Sequence, residues 1–388
     1  MRLIEVQDEK TQEAFHTVPR LIYADDRTWI PHLRQDIEKV FDPAKNRLFK
    51  KGGEVQRWLV QDEQGQWVGR VAAFTNPKYS KGMEQPTGGL GFFESTDDDA
   101  VATLLLDAAE EWLKEKGMEA VDGPINFGEK DKYWGLLVDN FTDLPSYGMN
   151  YNRPYYQRFF ADRGYQTYYE QYIYGRKVAL DIQEPFERKR AQVASRGGFE
   201  VVTARDITKE QLAEYFWTVY NNAWGGHHGF AKMPLKQAQR TVKSLQPVMD
   251  PDIIFFVLHN GKPVAFYVNI PELNQIFRHV NGNLNAIGKL KFLYHKWRGT
   301  SDVMVGLVFG IDREYHGAGL DGYLIDIAGK QIQAKGRYHS TTLTWIGDFN
   351  PKMIRIAENL GTQRTRTYQT LRKLFDPNVP FKRVPIAK

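Results

Sequence analysis

The feature that most constrains the fold of this chain is a strand–turn–strand pattern that occurs twice in its 388 residues. In the first half, apolar strand-like segments within 57–74 flank a turn that contains Gly65. In the second half, similar segments within 253–268 flank Asn260-Gly261, and Asn-Gly between apolar runs is a strong hairpin signal. Two hairpins at corresponding places indicate an internal duplication.

The segments that follow each hairpin extend the repeat. Apolar residues at helical spacing predict one helix from Val101 to Lys116 and another from Leu320 to Lys335, each followed by glycine. Further on, Pro154 and Pro351 each precede a glycine by ten residues, the pattern of a helix with proline at its start and glycine past its end. The sequence therefore predicts two similar units, over residues 1–182 and 198–376.

The amino-acid composition limits the cellular location that we expect and the chemistry that the chain can perform. The chain has no cysteine, which excludes disulfides, thiolate zinc sites and a cysteine nucleophile. No apolar run approaches the roughly 20 residues of a membrane span, and the N-terminal segment turns acidic without a long apolar centre. We therefore expect a cytoplasmic protein that has neither a membrane segment nor a membrane as partner.

Charge is mildly positive, at +5 for the whole chain. This fits an anionic ligand, whereas nucleic-acid-binding proteins usually concentrate their basic residues in a patch or stripe. Lysine and arginine are scattered here, with local density at 289–298 and at 364–373. Nucleic acid is therefore the less favoured ligand class.

The most informative segment joins a strand, a glycine-containing turn and a helix. The apolar run 303–311 predicts a buried strand, residues 312–319 include Gly317 and Gly319, and a helix pattern begins at Leu320. Such a turn presents bare backbone N–H groups at the positive end of a helix dipole, which suits a phosphate.

Residues from about 252 to 375 resemble the GNAT superfamily of acyl-CoA-dependent N-acyltransferases. The resemblance lies in the strand, the glycine turn Glu314 to Gly319, the next strand 341–346 and the helix from Asn350 to Gly361. It implies an α/β (α+β) fold with two GNAT-like domains, each a mixed, mostly antiparallel sheet flanked by helices. The tandem arrangement is similar to that of bacterial members with two such domains.

The resemblance also implies which residues bind an acyl-CoA, with acetyl-CoA as the expected donor. Amides of the turn would bind the pyrophosphate, and the strand before it would pair with the pantetheine amides. These roles would fall on the following residues: Val308, Phe309, Gly310, Ile311, Tyr315, His316, Gly317, Ala318, Gly319, Leu320 and Asn350.

Two positions depart from the family pattern. Glu314 stands where arginine or glutamine is expected, with Arg313 one residue earlier. Many members place a tyrosine that acts as general acid about seven residues after the asparagine, and Ala357 occupies that position here. Tyr368 is a remote alternative for protonating the leaving thiolate.

The corresponding loop of the first half, residues 92–99, contains no glycine and four carboxylates. A like charge about 6 Å from a phosphate costs roughly 3 kcal/mol at an effective dielectric near 20. These acidic residues are better explained as caps of their own helix. The first unit is therefore predicted to be a degenerate GNAT-like domain, a scaffold or one wall of an acceptor site.

A general base is needed to take a proton from an acceptor amine. Glu272, Asp348 and His228 are the candidates, the last in a glycine-rich segment with His227 that suits either a lid or a surface turn. Adjacent histidines alone do not specify a metal site, so no metal is predicted.

The connection from residue 271 to residue 299 is long and is predicted to contain a short helix from Lys289 to Lys296. Its basic residues suit a phosphate of the coenzyme, an acidic acceptor or a solvated helix face. Farther back, Tyr155, Tyr156, Phe159 and Phe160 have the helical spacing of a domain core.

Three functions remain open on the sequence. The first is transfer of an acyl group, expected to be acetyl, from acyl-CoA held by the second unit to a small-molecule or peptide amine between the units. The second is a transferase of the same fold that uses aminoacyl-tRNA. The third is a non-catalytic binding or regulatory protein.

Overall fold

A computed structural model of the chain describes residues 1–225 and 232–386. The strands are β1 Arg2–Glu5, β2 Glu54–Gln61, β3 Trp67–Thr75, β4 Thr87–Ser95, β5 Ala120–Gly123, β6 Leu136–Leu137, β7 Gln166–Lys177, β8 Phe199–Thr203, β9 Ile254–His259, β10 Lys262–Pro271, β11 Val303–Ile311, β12 Ser340–Gly347 and β13 Gln363–Leu374. The helices are α1 Glu9–Ile22, α2 Arg34–Phe41, α3 Pro77–Ser80, α4 Asp99–Glu115, α5 Tyr156–Asp162, α6 Glu184–Ala194, α7 Lys209–Trp224, α8 Leu235–Leu245, α9 Asn274–Phe277, α10 Ala286–Trp297, α11 Leu320–Lys335 and α12 Pro351–Asn359.

The strands form one 13-stranded sheet. Its order is β1-β2-β3-β4-β5-β13-β7-β12-β11-β10-β9-β8, and the short β6 pairs with β13. Among the described strands, only β4 with β5 and β11 with β12 run parallel. The predicted class, a mixed and mostly antiparallel sheet flanked by helices, is confirmed, and the sheets of the two halves are joined edge to edge.

The two halves of the sheet mirror each other. β2, β3, β4 and β5 of the first half correspond in order to β9, β10, β11 and β12 of the second, and both predicted hairpins are present. A long helix follows the fourth strand of each series: α4 packs on the first half of the sheet and α11 on the second. This correspondence agrees with the predicted duplication.

The halves exchange their last strands. β13, from the end of the chain, pairs with β5 of the first half, while β7, from the first half, pairs with β12 of the second. The bidentate ion pair of Arg372 with Asp122, at 2.6 and 2.8 Å, fixes β13 against β5 with both side chains buried. The exchange couples the halves, and the boundaries at 182 and 198 stay a prediction.

The predicted aromatic core is present in α5. Tyr156, Phe159 and Phe160 are buried in the cluster that α4 covers, and Tyr155 packs against it half-buried. These rings are therefore structural.

The described helices were compared with the length and apolar character that a membrane span requires, and none of them has both.

Candidate functional site

The second half of the sheet contains a wedge where its two parallel strands separate. β11 and β12 pair from Val303 with Ser340 to Gly306 with Leu343, and their described pairing ends there. Beyond that point β11 continues to Ile311 paired with β10 alone. One edge of β11 therefore lies free over the residues that were predicted to bind pantetheine.

The backbone orientation along this edge is set by the pairing with β10. The N–H of Asp312 donates to the carbonyl of Val264 at 2.8 Å. Because the hydrogen-bonding direction alternates along an antiparallel strand, the N–H and C=O groups of Ile311 and Phe309 face the wedge. The imidazole of His316 already donates to the Ile311 carbonyl at 3.2 Å. The backbone of Phe309 is left to pair with an extended ligand.

Between Glu314 and Leu320, three backbone amides have no partner among the described residues. The N–H groups of Tyr315, His316 and Ala318 donate within the turn. Those of Gly317, Gly319 and Leu320 have no acceptor in the described chain. Gly317 and Gly319 have φ values of +78° and +86°, in the left-handed region that favours glycine. The free N–H groups lie at the positive end of the 16-residue helix α11.

The turn is open rather than packed shut. A Cβ built on Gly317 would have no atom within 4 Å. Glu314 is exposed, and its carboxylate takes part in no ion pair within the described residues. Two side-chain hydrogen bonds fix the turn to neighbouring elements. Tyr315 Oη bonds His259 Nδ1 of β9 at 2.8 Å, and Asn222 Nδ2 of α7 donates to Asp312 Oδ2 at 2.6 Å.

Helix α6 brings basic side chains to this turn. Lys189 Nζ lies 2.5 Å from Asp321 Oδ2 in the first turn of α11, and Arg196, just after α6, donates to the Ala318 carbonyl at 2.9 Å. A Cβ on Gly322 would lie 2.5 Å from the Lys189 side chain, so α6 sits directly on α11. Lys189 therefore neutralises the carboxylate of Asp321 beside the turn, and Arg196 adds a further positive charge there.

The sequence analysis did not predict α6, because Glu184–Ala194 lies between the two predicted units, 1–182 and 198–376. A signal was available: Glu184-Pro185 suits a helix start, and Phe186 and Val193, seven residues apart, share one buried face.

Asn350 has a local role in the structure. Its side chain accepts from the Met353 N–H at 3.3 Å and caps α12. Ala357, where the family pattern would have tyrosine, is buried against Tyr174 and Ile346. A contact of Asn350 with a ligand stays a prediction.

Glu272 is buried at the end of β10, beside the start of β11 and at the opposite end of that strand from the glycine turn. Its Oε1 accepts from the N–H groups of Tyr147 and Asn274 at 2.8 and 2.9 Å, while Oε2 has no described partner. Burial raises the pKa of this carboxyl above its usual range. Glu272 therefore ties the second half to Tyr147 of the first.

The structure brings Glu272 into electrostatic reach of Tyr368, the remote candidate for the general acid. Tyr368 is fully buried on β13, and burial raises its pKa, with Arg366 beside it acting in the opposite direction. Arg366 also lowers the pKa of Glu272. Both candidate groups are buried, and Arg366 influences the pKa of each.

The other two candidate bases lie elsewhere. Asp348, just after β12, is half-buried, and burial raises its pKa. Its Oδ2 pairs with Arg383 and its Oδ1 is buried without a described partner. His228 lies outside the described residues. Within residues 1–225 and 232–386, no group of three metal-binding side chains comes together.

The corresponding wedge of the first half is filled by the chain itself. β4 and β5 pair from Thr87 to Gly89 and then separate. The segment after β5 enters the gap, with the Ile125 N–H donating to the Leu90 carbonyl at 2.7 Å. A Cβ on Gly91 would lie 1.8 Å from the Ile125 carbonyl oxygen, so no space remains there.

The acidic loop of the first half makes internal contacts. Asp98 caps α4 by accepting from the Ala100 N–H at 2.8 Å, as predicted. Asp97 and Asp99 pair with Arg158. Glu94 is buried, accepts from the hydroxyl groups of Tyr23 and Tyr156, and pairs with Arg70. These carboxylates of the first half therefore have partners within their own half.

Comparison with known proteins finds a sequence relative over nearly the whole chain. No protein-family model matches the chain. A protein named bacterial ceramide synthase, from Caulobacter vibrioides (strain NA1000 / CB15N), is 26% identical over 384 residues, which cover 96% of this chain and 97% of that protein.

Solved structures share the fold at low sequence identity. A tandem GNAT protein from the clavulanic acid biosynthesis pathway, solved without acetyl-CoA, matches with a TM-score of 0.53 at 10% identity, over 97% of this chain and 99% of its own. A GCN5-related glucosamine N-acetyltransferase region of a fungal multi-domain GH3 β-N-acetylglucosaminidase matches with a TM-score of 0.54 at 13% identity. That match covers 96% of this chain, which spans only 38% of the longer fungal chain. Together with the strand order and the separating parallel strands, these matches show that the chain has the tandem GNAT fold.

Proposed function

We propose that the protein is an acyl-CoA-dependent N-acyltransferase whose second half binds the donor. The observation that carries the proposal is the continuous path from the free edge of β11 to the unpartnered amides of Gly317, Gly319 and Leu320. The corresponding path in the first half is filled at Ile125. Within residues 1–225 and 232–386, this difference supports the second half as the place for an extended chain that ends in a pyrophosphate.

The donor would lie along this path in an extended conformation. Its pantetheine amide would pair with the backbone of Phe309, as an added strand pairs with a sheet edge. Its pyrophosphate would accept from the three free amides at the positive end of α11. Arg196 would add positive charge beside the turn, while Lys189 neutralises the carboxylate of Asp321. The strand residues Val308 to Ile311 and the turn Tyr315 to Leu320 are thus the proposed donor site.

Because the chain has no cysteine, the proposed reaction has no cysteinyl intermediate, and the acyl group passes directly from the donor to the amine. The amine nitrogen of the acceptor attacks the thioester carbonyl, the C–S bond breaks, and coenzyme A leaves as the thiol after taking up one proton. The amine loses one proton, so the balance needs a base and an acid. Glu272 and Tyr368 are the proposed pair, because both side chains are buried with an unpartnered oxygen and Arg366 influences the pKa of each. Asp348 is the alternative base.

The acceptor class is proposed from the relative at 26% identity. Its name, bacterial ceramide synthase, describes a product with an amide between an acyl chain and a long-chain amino alcohol. We extend this class of acceptor, a lipid amine, to the present chain. The acyl chain is then expected to be longer than acetyl.

A coenzyme A release assay tests the proposal. Because the chain contains no cysteine, a thiol reagent reports only the released coenzyme A, without background from the protein. Acyl-CoA donors from acetyl to palmitoyl are combined with a long-chain amino alcohol, a short amine or no acceptor. Thiol release that requires both donor and amine, together with an amide product of the expected mass, supports the proposal.

Two other experimental results would favour a different function over acyl-CoA-dependent acyl transfer. Salt-sensitive binding of aminoacyl-tRNA, without acyl-CoA binding, would favour the tRNA-dependent transferase. Acyl-CoA binding without thiol release from any donor and amine pair would favour a non-catalytic binding protein.

A further inference from the structure

The helix α10 carries a large apolar surface that the rest of the described protein leaves uncovered. One face of α10 is anchored, since Phe292 stacks on Phe277 of α9 with ring centroids 5.6 Å apart and Gly288 is buried. The outward residues are large, apolar or aromatic, and exposed by half or more: Ile287 64%, Leu290 68%, Leu293 58%, Tyr294 51% and Trp297 82%.

The spacing of these residues gathers them on one side of the helix. At about 100° per residue, they occupy a stripe roughly 120° wide, opposite Gly288 and Phe292. Scattered exposed apolar residues are normal on a protein surface, but a contiguous stripe marks an interaction site. We refer to these five residues as the α10 stripe.

Basic residues border the α10 stripe on both sides. Lys289 and Lys296 lie along one edge, and Lys291 and Arg298 along the other. From residue 273 to residue 301 the chain has five lysines and arginines and no aspartate or glutamate. Lys296 donates to the Pro247 carbonyl at 2.5 Å, and Lys289 and Lys291 are exposed without an ion-pair partner in the described residues. The surface is thus apolar in the middle and positive at its margins.

We propose that the α10 stripe lies on the surface of a lipid bilayer that contains anionic lipid. The apolar side chains would enter the boundary between headgroups and acyl chains, and the bordering cations would meet the lipid phosphates. Trp297 and Tyr294 are residue types that concentrate at this boundary.

The charge pattern favours a bilayer over a second copy of the chain. Two α10 stripes facing each other would bring basic margins together, and like charges across an interface oppose association. An anionic bilayer meets both the apolar and the positive parts of the surface. This docking does not depend on the proposed acyl transfer.

The position of α10 relates the proposed docking surface to the two ends of β11. Phe292 belongs to the cluster that contains Val305 of β11, one residue before β11 and β12 separate. The α10 stripe therefore lies at the end of β11 away from the glycine turn. If the acceptor is a lipid amine, as the proposed function holds, the bilayer would meet the protein at the acceptor end and leave the donor end in water.

Sedimentation of the full chain with vesicles tests the proposal. Vesicles of phosphatidylcholine with about 30 mol% phosphatidylglycerol are compared with vesicles of phosphatidylcholine alone. The protein is expected to sediment with the anionic vesicles, and high salt should weaken this binding by screening. Failure to bind anionic vesicles at low salt would overturn the proposal.

Matched variants assign the binding to α10. Leu290→Glu should weaken vesicle partitioning at least about tenfold, whereas Leu21→Glu, on an exposed position of α1, should not. Lys289→Glu with Lys291→Glu should also weaken it, and the control pair on α8, Lys236→Glu with Lys243→Glu, should have much less effect. Circular dichroism checks that each variant keeps its fold.

Two outcomes would contradict the assignment. Equal losses in the α10 variants and their controls would show that the α10 stripe is not the docking surface. A dimer in light scattering that Leu290→Glu dissociates, with vesicle binding unchanged, would show that the surface pairs with a second copy instead.

Discussion

The glycine turn can be tested by comparing two glycines at opposite ends of α11. Gly317 in the turn and Gly336 after the helix both have positive φ, at +78° and +61°, and a Cβ on either would meet no atom within 4 Å. Replacing either by glutamate should therefore cost a similar amount of stability, about 1–2 kcal/mol for a left-handed side-chain residue. Only Gly317→Glu would place a carboxylate at the proposed pyrophosphate site.

The expected effect on binding follows from Coulomb's law. A unit charge about 6 Å from a phosphate charge costs roughly 3 kcal/mol at an effective dielectric near 20, which corresponds to about a hundredfold loss of affinity. At an acyl-CoA concentration near 100 times the dissociation constant, the ligand should stabilise the parent protein by about 2.7 kcal/mol. For Gly317→Glu the same concentration should give only about 0.4 kcal/mol.

Thermal unfolding with and without acyl-CoA measures this difference. The parent protein and Gly336→Glu should show the same ligand-induced rise in melting temperature, and Gly317→Glu should show almost none. An equal rise in all three proteins would refute the placement of the pyrophosphate at this turn. Equal loss of the rise in both variants would mean that the effect comes from the helix and not from the site.

Three further predictions concern groups at or near the meeting of the halves. Arg372→Met should lower the free energy of unfolding by about 3–5 kcal/mol in urea titration, because it leaves Asp122 buried without its partner, and adding Asp122→Asn should restore part of the loss. Burial lowers the pKa of His32 to about 4. Because the unfolded chain binds a proton near pH 6.5 and the folded chain does not, stability should fall as pH drops from 6.5 to 4, by at most about 3 kcal/mol. His32→Phe should remove that part of the pH dependence, and an unchanged slope would contradict the burial. Burial raises the pKa of Glu272, so ionising it opposes folding as pH rises through that pKa; Glu272→Gln should therefore raise the melting temperature more at pH 8 than at pH 5.

Local elements of the fold could be predicted from the sequence. The hairpin at Asn260-Gly261 is present, and the apolar run 303–311 is a strand with the predicted bounds. The predicted helix from Leu320 ends at Lys335 as expected, because glycine with positive φ follows it. Turn chemistry and hydrophobic period act over a few residues, so one sequence is enough to read them.

The exchange of last strands could not be predicted in this way. β13 pairs with β5 across roughly 250 residues of sequence, and nothing in the apolar pattern of 363–374 distinguishes the partner in one half from the partner in the other. Arg372 and Asp122, which fix the pairing, are ordinary charged residues until the structure shows both buried.

The proposed site was partly accessible from sequence. The positions of Gly317 and Gly319 indicated the turn, but which amides remain free depends on hydrogen bonds made by Tyr315, His316 and Ala318 inside it. The basic residues of α6 escaped notice because they are distant in sequence from the turn. In the same way, the filling of the first wedge by Ile125 follows from a loop whose path is set by tertiary packing.

The central claim is that the second half binds the acyl-CoA donor along β11 and at the glycine turn. A crystal structure of the protein with a non-hydrolysable acyl-CoA analogue tests it most directly. The account predicts pyrophosphate oxygens within hydrogen-bond distance of the Gly317, Gly319 and Leu320 amides, and the pantetheine paired with Phe309. An analogue bound in the first half, or at any surface that leaves those amides bare, would contradict it.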